Sequence, residues 1–226
     1  MSIAAGFVLL ALTQRGRLTW KPEVGSSRKY SVHLTGVSAG TKVDIRYTWT
    51  QKILARVEET MLTEEDFVHC DSYWSGVQEV QPSAHGPADR TYRLTRTSLG
   101  EATGYQDKRA IPDWPRFTPV GDLFFDLLLP EKSVSMGGKW SKKYGANRSL
   151  EFTYKGWERV DANEAQRILC SMTFEPGPDD VPSVKTGTGS FWISPLDGSL
   201  VKADLTIGGE KQGLAHLHEV VELAKN

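Results

Sequence analysis

The pair His216 and His218 has the spacing most typical of metal ligands in this sequence, because one residue separates the two imidazoles. On a strand, both side chains would point to the same face, and Glu219 or Glu222 could serve as further donors. A metal site needs three or more ligands in a fixed geometry. Because nothing nearby supplies a fixed set, we interpret both residues as surface histidines and predict no metal site.

The other residues that could bind metal ions, substrates or phosphates do not form a specific motif either. The acidic groups that could serve glycoside hydrolysis or calcium binding match no EF-hand pattern, and we interpret them as solvated carboxylates: Glu58-Glu59, Glu64-Glu65-Asp66 and Asp179-Asp180. The glycines of Gly36 to Gly40 and of Gly187 to Gly189 match neither a P-loop nor a dinucleotide fingerprint. The sequence therefore predicts no catalytic residue and no cofactor, and we expect a protein that is not an enzyme.

The elements that would position any site are strands. Hydrophobic residues alternate with polar ones along residues 42–50, so that Val43, Ile45, Tyr47 and Trp49 share one face. The same period of two recurs in three further rows: Tyr30, Val32 and Leu34; Leu150, Phe152 and Tyr154; Val201, Ala203, Leu205 and Ile207. Each row predicts a strand with one buried face.

Tight turns separate these strands, with no segment of helical length and period between them. The turn signals are Ser38-Ala39-Gly40, Asp161-Ala162-Asn163, Asp197-Gly198 and Gly208-Gly209. The Asp197-Gly198 pair joins the runs 188–194 and 199–207 and gives the clearest hairpin. This order predicts an antiparallel meander rather than parallel βαβ units.

Two stretches interrupt the pattern. Residues 81–89 indicate an exposed loop, and residues 111–122 contain three prolines, which exclude a regular helix or strand. Asp122 could cap one or two helical turns at 121–129, laid across the apolar face of the sheet. Residues 214–224 fit either a helix or a strand, and we favour a last strand. The predicted fold is mainly β (α+β): a strongly curved antiparallel sheet or half-barrel with a short helical cover.

The predicted cover would form one wall of an apolar groove. Its residues are Leu123, Phe124, Phe125, Leu127 and Leu128, together with Trp114 from the proline-rich loop. Such a groove is the usual form of a site for an apolar ligand. Trp114 fits two roles, as a buried anchor of its loop or as an exposed aromatic that contacts a ligand or partner.

Charge and the N-terminus limit the compartment and the partners. With 27 Lys and Arg against 28 Asp and Glu, the chain lacks the positive surface that binding to nucleic acid or anionic lipid requires. Residues 3–12 form an apolar run that is too short to span a membrane but long enough for the core of a signal peptide. We expect residues 1–13 to be a signal peptide, 14–226 one β-rich domain, and the location periplasmic or secreted. No Lys or Arg precedes the run, so a cytoplasmic location is the alternative.

The two cysteines, Cys70 and Cys170, allow one disulfide if the chain is exported and two core thiols if it is not. Cys170 belongs to an apolar row with Ile168, Met172 and Phe174, which predicts that its side chain is buried.

One segment, Leu128 to Trp140, resembles the LPxxxVxxGxxW stretch of uncharacterised exported bacterial β-rich domains. Pro130, Val134, Gly137 and Trp140 match that stretch, whereas Gly138 stands where aspartate is common. The strand–turn–strand from Gly189 to Lys202 is similar to a late element of the same domains. The resemblance implies a fold like that of periplasmic lipoprotein carriers, a curved antiparallel sheet with helices over its concave face, and it implies no catalytic residue.

These observations favour a non-enzymatic exported binding or structural module that holds a lipid or lipoprotein segment in an apolar groove. A hydrolase of envelope polymers is an alternative, which requires clustered carboxylates or a histidine dyad in a cleft. A protein-interaction module that uses a sheet edge or Trp114 is a third.

Overall fold

The computed structural model describes residues 18–38, 41–75, 90–107, 127–144, 148–174, 186–208 and 216–224. These residues form eleven β-strands and no helix: β1 (Ser27–Ser38), β2 (Thr41–Val57), β3 (Thr60–Ser75), β4 (Arg90–Thr97), β5 (Ala102–Asp107), β6 (Lys139–Tyr144), β7 (Arg148–Val160), β8 (Asn163–Phe174), β9 (Thr186–Ile193), β10 (Leu200–Gly208) and β11 (His216–Leu223). Accordingly, no helix that could cross a membrane occurs within the described ranges.

All eleven strands belong to one antiparallel sheet in the order β5-β4-β3-β2-β1-β11-β10-β9-β8-β7-β6. Each half of the sheet is a meander, and the first strand joins the last through the pairing of Tyr30 with Leu223. The prediction of a mainly β fold with antiparallel connections is confirmed. So are the hairpin at Asp197-Gly198 and the assignment of the C-terminal segment as a strand.

The sheet curls until its two edges approach each other. In a flat sheet, ten strand spacings of about 4.8 Å would separate β5 from β6 by roughly 48 Å. In the protein, however, the ammonium group of Lys142 in β6 forms an ion pair with the carboxylate of Glu101, the residue before β5. The sheet remains open, and its concave face forms the interior of an incomplete barrel.

The main cluster of buried residues lines the concave face, where most of its strand residues occupy alternate positions. Tyr30, Phe152, Tyr154, Ile168 and Phe191 are each at most 1% exposed and belong to one apolar cluster. Burial of side chains of this size provides the main free energy of folding. The rows of Tyr30 and Phe152 are therefore correctly assigned to a buried face, as are Tyr47 and Trp49 of the third row, whereas the side chains of Val43 and Ile45 lie outside the described residues.

One predicted row is interrupted. The pairing of β10 with β9 shifts between Leu200 and Lys202, which is a β-bulge. As a result Ala203 and Leu205 remain in the main cluster, while Val201 packs with Ala165 and Trp192 in a separate, smaller one. The side chain of Ile207 lies outside the described residues.

The predicted helical cover is not confirmed by the described residues. Residues 127–129 contain no helix, because the backbone of this segment bonds to other parts of the chain: the Leu129 N–H donates to the carbonyl of Leu99 at 2.9 Å. Residues 121–126 and the predicted loops at 81–89 and 111–122 lie outside the described residues.

The two-residue turn between β2 and β3 contains a strained position. Glu58 has φ 53°, in the left-handed region that glycine adopts most easily. We expect Glu58→Gly to raise the free energy of unfolding by about 0.5 to 1 kcal/mol, measured by urea denaturation. Glu59→Gly in the same turn is the control and should not stabilise the protein, because Glu59 does not have a positive φ. Equal effects of the two changes would contradict the explanation.

Candidate ligand-binding site

An N-terminal strap, residues 18–26, crosses one end of the incomplete barrel. The Trp20 N–H donates to the carbonyl of Ser98 in the β4–β5 turn at 3.0 Å, and the Lys21 N–H donates to the carbonyl of Asp197 in the β9–β10 turn at 2.7 Å. Adjacent residues of the strap therefore tie opposite halves of the sheet together. The side chain of Trp20 is 6% exposed and enters the core. We call this end of the sheet the strap end.

Gly198 permits the close approach of the strap to the β9–β10 turn. Its φ is +70°, and a Cβ atom at this position would lie 2.2 Å from the carbonyl oxygen of Thr19. Any side chain here would push the strap away from the sheet. The ion pair of Arg28 with Asp197, at 2.7 Å, holds the same turn against β1.

A second segment, residues 127–130, bridges the gap near the sheet edges and is called the bridging segment. Leu128 accepts a hydrogen bond at 2.7 Å from Nε1 of Trp140 in β6, while Leu129 bonds to the β4–β5 turn. Leu128 and Leu129 are 5% and 3% exposed. The strap and the bridging segment together cover the strap end.

A pocket of about 50 Å³ remains between these two segments and the sheet. Since a water molecule occupies about 30 Å³ in the liquid, the pocket admits one or two waters or the end of a larger ligand. The residues that line it are Trp20, Trp49, Gln51, Arg96, Gly100, Leu127, Leu129, Gly198 and Leu200.

The predicted groove residues are only partly described. Leu127 lines the pocket and is half-buried, and Leu128 beside it packs into the core. Leu123, Phe124, Phe125 and Trp114 lie outside the described residues. The groove assignment of these four residues stays a prediction.

A buried ion pair between Arg96 and Glu65 lies beside the pocket. Glu65 is 0% exposed, and Oε1 accepts hydrogen bonds from Nε and a terminal nitrogen of Arg96 at 3.1 and 3.0 Å. Gln51 and Thr63 donate to the same oxygen at 3.1 and 3.2 Å. The indole N–H of Trp49 donates to Oε2 at 3.0 Å. Both carboxylate oxygens therefore have partners, which a buried charge requires.

The burial of Glu65 corrects the interpretation of Glu64-Glu65-Asp66 as solvated carboxylates. A signal was present in the sequence, because Met61, Thr63, Glu65 and Phe67 follow each other at the period of one strand face. Two apolar members of this row indicate that the whole row points inward. Glu64 and Asp66 occupy the other face, where they bond to Lys52 and Arg93.

Tyr30 supports the same region from β1. Its ring stacks on Trp49 with the centroids 4.5 Å apart, and its hydroxyl donates to the carbonyl of Leu200 at 3.2 Å. Burial raises the pKa of Tyr30 above its usual value of 10, so the phenol remains a neutral donor.

A second buried carboxyl, Glu219, lies on the concave face of β11 and is 2% exposed. The Tyr47 hydroxyl donates to Oε1 at 2.9 Å, reaching over β1 from β2. Oε2 has no hydrogen-bond partner among the described residues. Burial raises the pKa of Glu219 from 4.5 to about 7, although the hydrogen bond from Tyr47 opposes this rise.

The three histidines whose side chains the structure describes, His33, His216 and His218, are partly or fully exposed and belong to the opposite face. Nε2 of His218 lies 2.9 Å from a carboxylate oxygen of Asp204, and Nε2 of His33 lies 2.9 Å from one of Asp44. The side chains in these pairs are 41% to 45% exposed, and His216 is exposed. Within the described ranges, no three His, Cys, Asp or Glu side chains are placed to hold a metal ion.

Two remaining sequence features have structural explanations. Gly36 to Gly40 fits a Gly-x-Ser-x-Gly pattern, but a nucleophile elbow joins a strand to a helix, whereas β1 and β2 pair antiparallel from Ser38 and Thr41. Cys170 is a free thiol and is 6% exposed, which confirms the prediction of burial. Burial raises the pKa of Cys170 to about 12, so the thiol stays protonated.

Comparison with known proteins does not assign the chain to a family. No protein family matches the sequence. No curated protein matches it either.

Three solved structures show weak similarity. A candidate exported protein with a YmcC-like fold from Bacteroides fragilis is 10% identical, with 92% of this chain and 99% of that chain covered at a TM-score of 0.37. A candidate lipoprotein from Parabacteroides distasonis is 10% identical, with coverage of 89% and 97% and a TM-score of 0.37. A DUF1329 family protein from Desulfovibrio piger is 11% identical, with coverage of 89% and 85% and a TM-score of 0.27.

Proposed function

We propose that this protein is a non-enzymatic exported binding module whose concave face holds the apolar part of a lipid or of a lipoprotein segment. The observation that supports this proposal most directly is the mainly apolar concave face, with a few buried polar side chains, of a sheet whose edges are drawn together but not joined. A concave apolar surface with a few polar groups is the usual form of a ligand site. The pocket at the strap end would be the closed end of the groove.

The buried titratable groups favour binding over catalysis. Both oxygens of Glu65 accept hydrogen bonds from neighbouring side chains, and the residue is 0% exposed, so its carboxylate is not accessible to a substrate. The Cys170 thiol, with its pKa raised to about 12, is a poor nucleophile. The histidine–aspartate pairs of His33 and His218 lie on the face opposite the cluster of buried residues, away from the proposed groove.

Native mass spectrometry of the full chain, purified without detergent from a bacterial host, tests the proposal. We expect an adduct with the mass of a lipid, released by organic extraction. The matched variants are Leu127→Asp, which places a charge on the pocket wall, and Val24→Asp, which places one on an exposed strap position. Only Leu127→Asp should lose the adduct. A bare mass for the unaltered chain would contradict lipid binding and favour a protein-interaction module.

Export is tested separately by fractionation of the same host. The expected result is that the chain lies outside the cytoplasm and has been cleaved near residue 13. A full-length cytoplasmic product would contradict this part of the proposal.

A further inference from the structure

We propose that a cleft at the strap end binds the headgroup of phosphatidylethanolamine on a membrane surface. The cleft has a volume of about 110 Å³ and lies between the strap, the β2–β3 turn and the β4–β5 turn. We call it the outer cleft. This inference goes beyond the proposed function, because it concerns a surface that contacts a bilayer rather than the occupant of the concave face. The residues that line the outer cleft are Trp20, Lys21, Arg56, Glu58, Glu59, Thr60, Met61 and Ser98.

Hydrogen bonds hold the three elements around the outer cleft. The Trp20 N–H donates to the carbonyl of Ser98 at 3.0 Å, and the Ser98 N–H donates to the carbonyl of Glu59 at 3.1 Å. The guanidinium group of Arg56 donates to a carbonyl of the strap at 3.5 Å. Trp20 and Met61, which are 6% and 3% exposed, supply the apolar part of the lining. The walls of the cleft are therefore fixed by the fold.

Four charged side chains surround the opening of the outer cleft. Lys21, Arg56, Glu58 and Glu59 all line it, and all four are exposed. Within the described ranges none of the four forms an ion pair, although two are cations and two are carboxylates. Two pairs of opposite charge around one cavity complement a ligand that carries both signs.

The chemistry of these residues selects the headgroup. Lys21 and Arg56 can bind a phosphodiester, and Glu58 and Glu59 can accept hydrogen bonds from a primary ammonium group. The four charges sum to zero, which favours a headgroup without net charge over the anionic phosphatidylglycerol. The quaternary ammonium group of phosphatidylcholine has no N–H to donate. Phosphatidylethanolamine has both matching groups.

The size and position of the outer cleft place the rest of the lipid outside the protein. A volume of about 110 Å³ corresponds to roughly four water molecules of the liquid, which suits a headgroup and not an acyl chain. The same end of the sheet carries exposed aliphatic side chains, since Val24, Val57 and Leu196 are 49%, 63% and 95% exposed. Entry of these side chains into a bilayer surface removes them from water, which is favourable. The acyl chains would therefore remain in the bilayer.

Sedimentation of the full chain with phospholipid vesicles tests the proposal. The vesicles consist of phosphatidylcholine alone, or of phosphatidylcholine half replaced by phosphatidylethanolamine or by phosphatidylglycerol. We expect binding to the vesicles with phosphatidylethanolamine to be about fivefold tighter than to the other two, the effect of one exposed ion pair.

Variants of the carboxylates test the recognition of the ammonium group. Glu58→Gln combined with Glu59→Gln removes both charges that face this group, so the preference for phosphatidylethanolamine over phosphatidylcholine should disappear. Binding to phosphatidylglycerol should rise, because the cleft then carries a net positive charge. Leu196→Asp should weaken binding to all three kinds of vesicle, since it replaces an exposed aliphatic side chain by a charge.

Variants of the cations test the recognition of the phosphate. Lys21→Gln combined with Arg56→Gln should weaken binding to phosphatidylethanolamine and phosphatidylcholine alike, by about fivefold. The matched control is Lys42→Gln combined with Arg46→Gln, which removes the same two charges near the other end of β2. This control should bind as the unaltered chain does. Circular dichroism checks that each variant folds.

The outcomes separate the headgroup site from the proposed function. Equal binding of phosphatidylethanolamine and phosphatidylcholine, or a preference that persists without both carboxylates, would overturn the headgroup assignment. Equal losses in the two cation variants would overturn the outer cleft as the site. Binding of free phosphoethanolamine in calorimetry without binding to vesicles would overturn the membrane as its source. Each of these results leaves the proposed function intact, because the lipid adduct in native mass spectrometry decides that function.

Discussion

Arg96→Met is expected to lower the free energy of unfolding by about 3 to 5 kcal/mol, the typical cost of removing one partner of a buried ion pair. The substitution keeps the length of the side chain but removes both hydrogen bonds to Glu65, whose carboxylate is 0% exposed. It also removes the bond from Arg96 to the carbonyl of Gly100, which fixes the β4–β5 turn beneath the strap. Urea denaturation followed by tryptophan fluorescence gives the change.

Two companion variants show whether the uncompensated charge causes this loss. Adding Glu65→Gln to Arg96→Met removes the charge but keeps a side chain that can bond to Trp49, so the double variant should recover about half of the loss. Arg93→Met lies on the same strand and breaks a partly exposed pair with Glu64 at 3.3 Å, which should cost at most about 1 kcal/mol. If Arg96→Met costs no more than Arg93→Met, the ion pair does not have the role assigned to it.

The fold could be predicted to the extent that it depends on local pattern. Alternation at period two identified strands whose buried face is confirmed at Tyr30, Trp49 and Phe152, because each row must bury one face wherever it pairs. The Asp197-Gly198 turn could be recognised for a similar reason, since residues 196–199 supply the turn conformations on their own.

Features that depend on contacts between distant residues could not be predicted in the same way. The bulge that moves Val201 to a second cluster arises from the pairing of β10 with β9, and no residue pattern in the sequence indicates its position. The ion pair of Lys142 with Glu101 forms only because the sheet curls by a certain amount. Apolar content predicts helical turns at 121–129, whereas at residues 127–129 the strap end provides hydrogen bonds that hold the chain in another conformation.

The buried carboxyls lie between these two cases. The row of Leu217, Glu219 and Val221 could have placed Glu219 on the inward face, just as Met61 and Phe67 could have placed Glu65 there. Neither row indicates which donors meet the acid, because those donors come from strands distant in the sequence. The sequence can therefore identify a buried acid. Only the structure shows that both carboxylate oxygens of Glu65 accept hydrogen bonds, whereas one oxygen of Glu219 has no partner among the described residues.

This difference predicts opposite consequences when the two acids are neutralised. Removing the charge of Glu65 breaks a network of hydrogen bonds and should destabilise the protein. Removing the charge of Glu219 should instead stabilise the protein. This buried carboxyl receives one hydrogen bond, from Tyr47, and is flanked by Leu34 and Leu205. Burial without full pairing is also what raises the pKa of Glu219 to about 7.

Stability of the unaltered chain should therefore fall as the pH rises from about 4.5 to about 7. The pKa of Glu219 is about 7 in the folded protein, against 4.5 for the free side chain. In this interval the native state binds more protons than the unfolded state, so each step upward in pH favours unfolding. Below the interval the carboxyl is protonated in both the folded and the unfolded state. Above it, the folded protein bears the full energetic cost of burying the charged carboxylate.

The Glu219→Gln variant should lack this pH dependence. Between pH 5 and pH 8.5 we expect it to gain about 2 to 3 kcal/mol relative to the unaltered chain, as measured by urea denaturation at each pH. Tyr47→Phe should enlarge the pH dependence, because it removes the hydrogen bond that lowers the pKa of Glu219. Glu222→Gln, which changes an exposed carboxyl on the same strand, should leave the profile as it is. A difference between Glu219→Gln and the unaltered chain that is constant across this range would mean that Glu219 does not titrate as a buried acid.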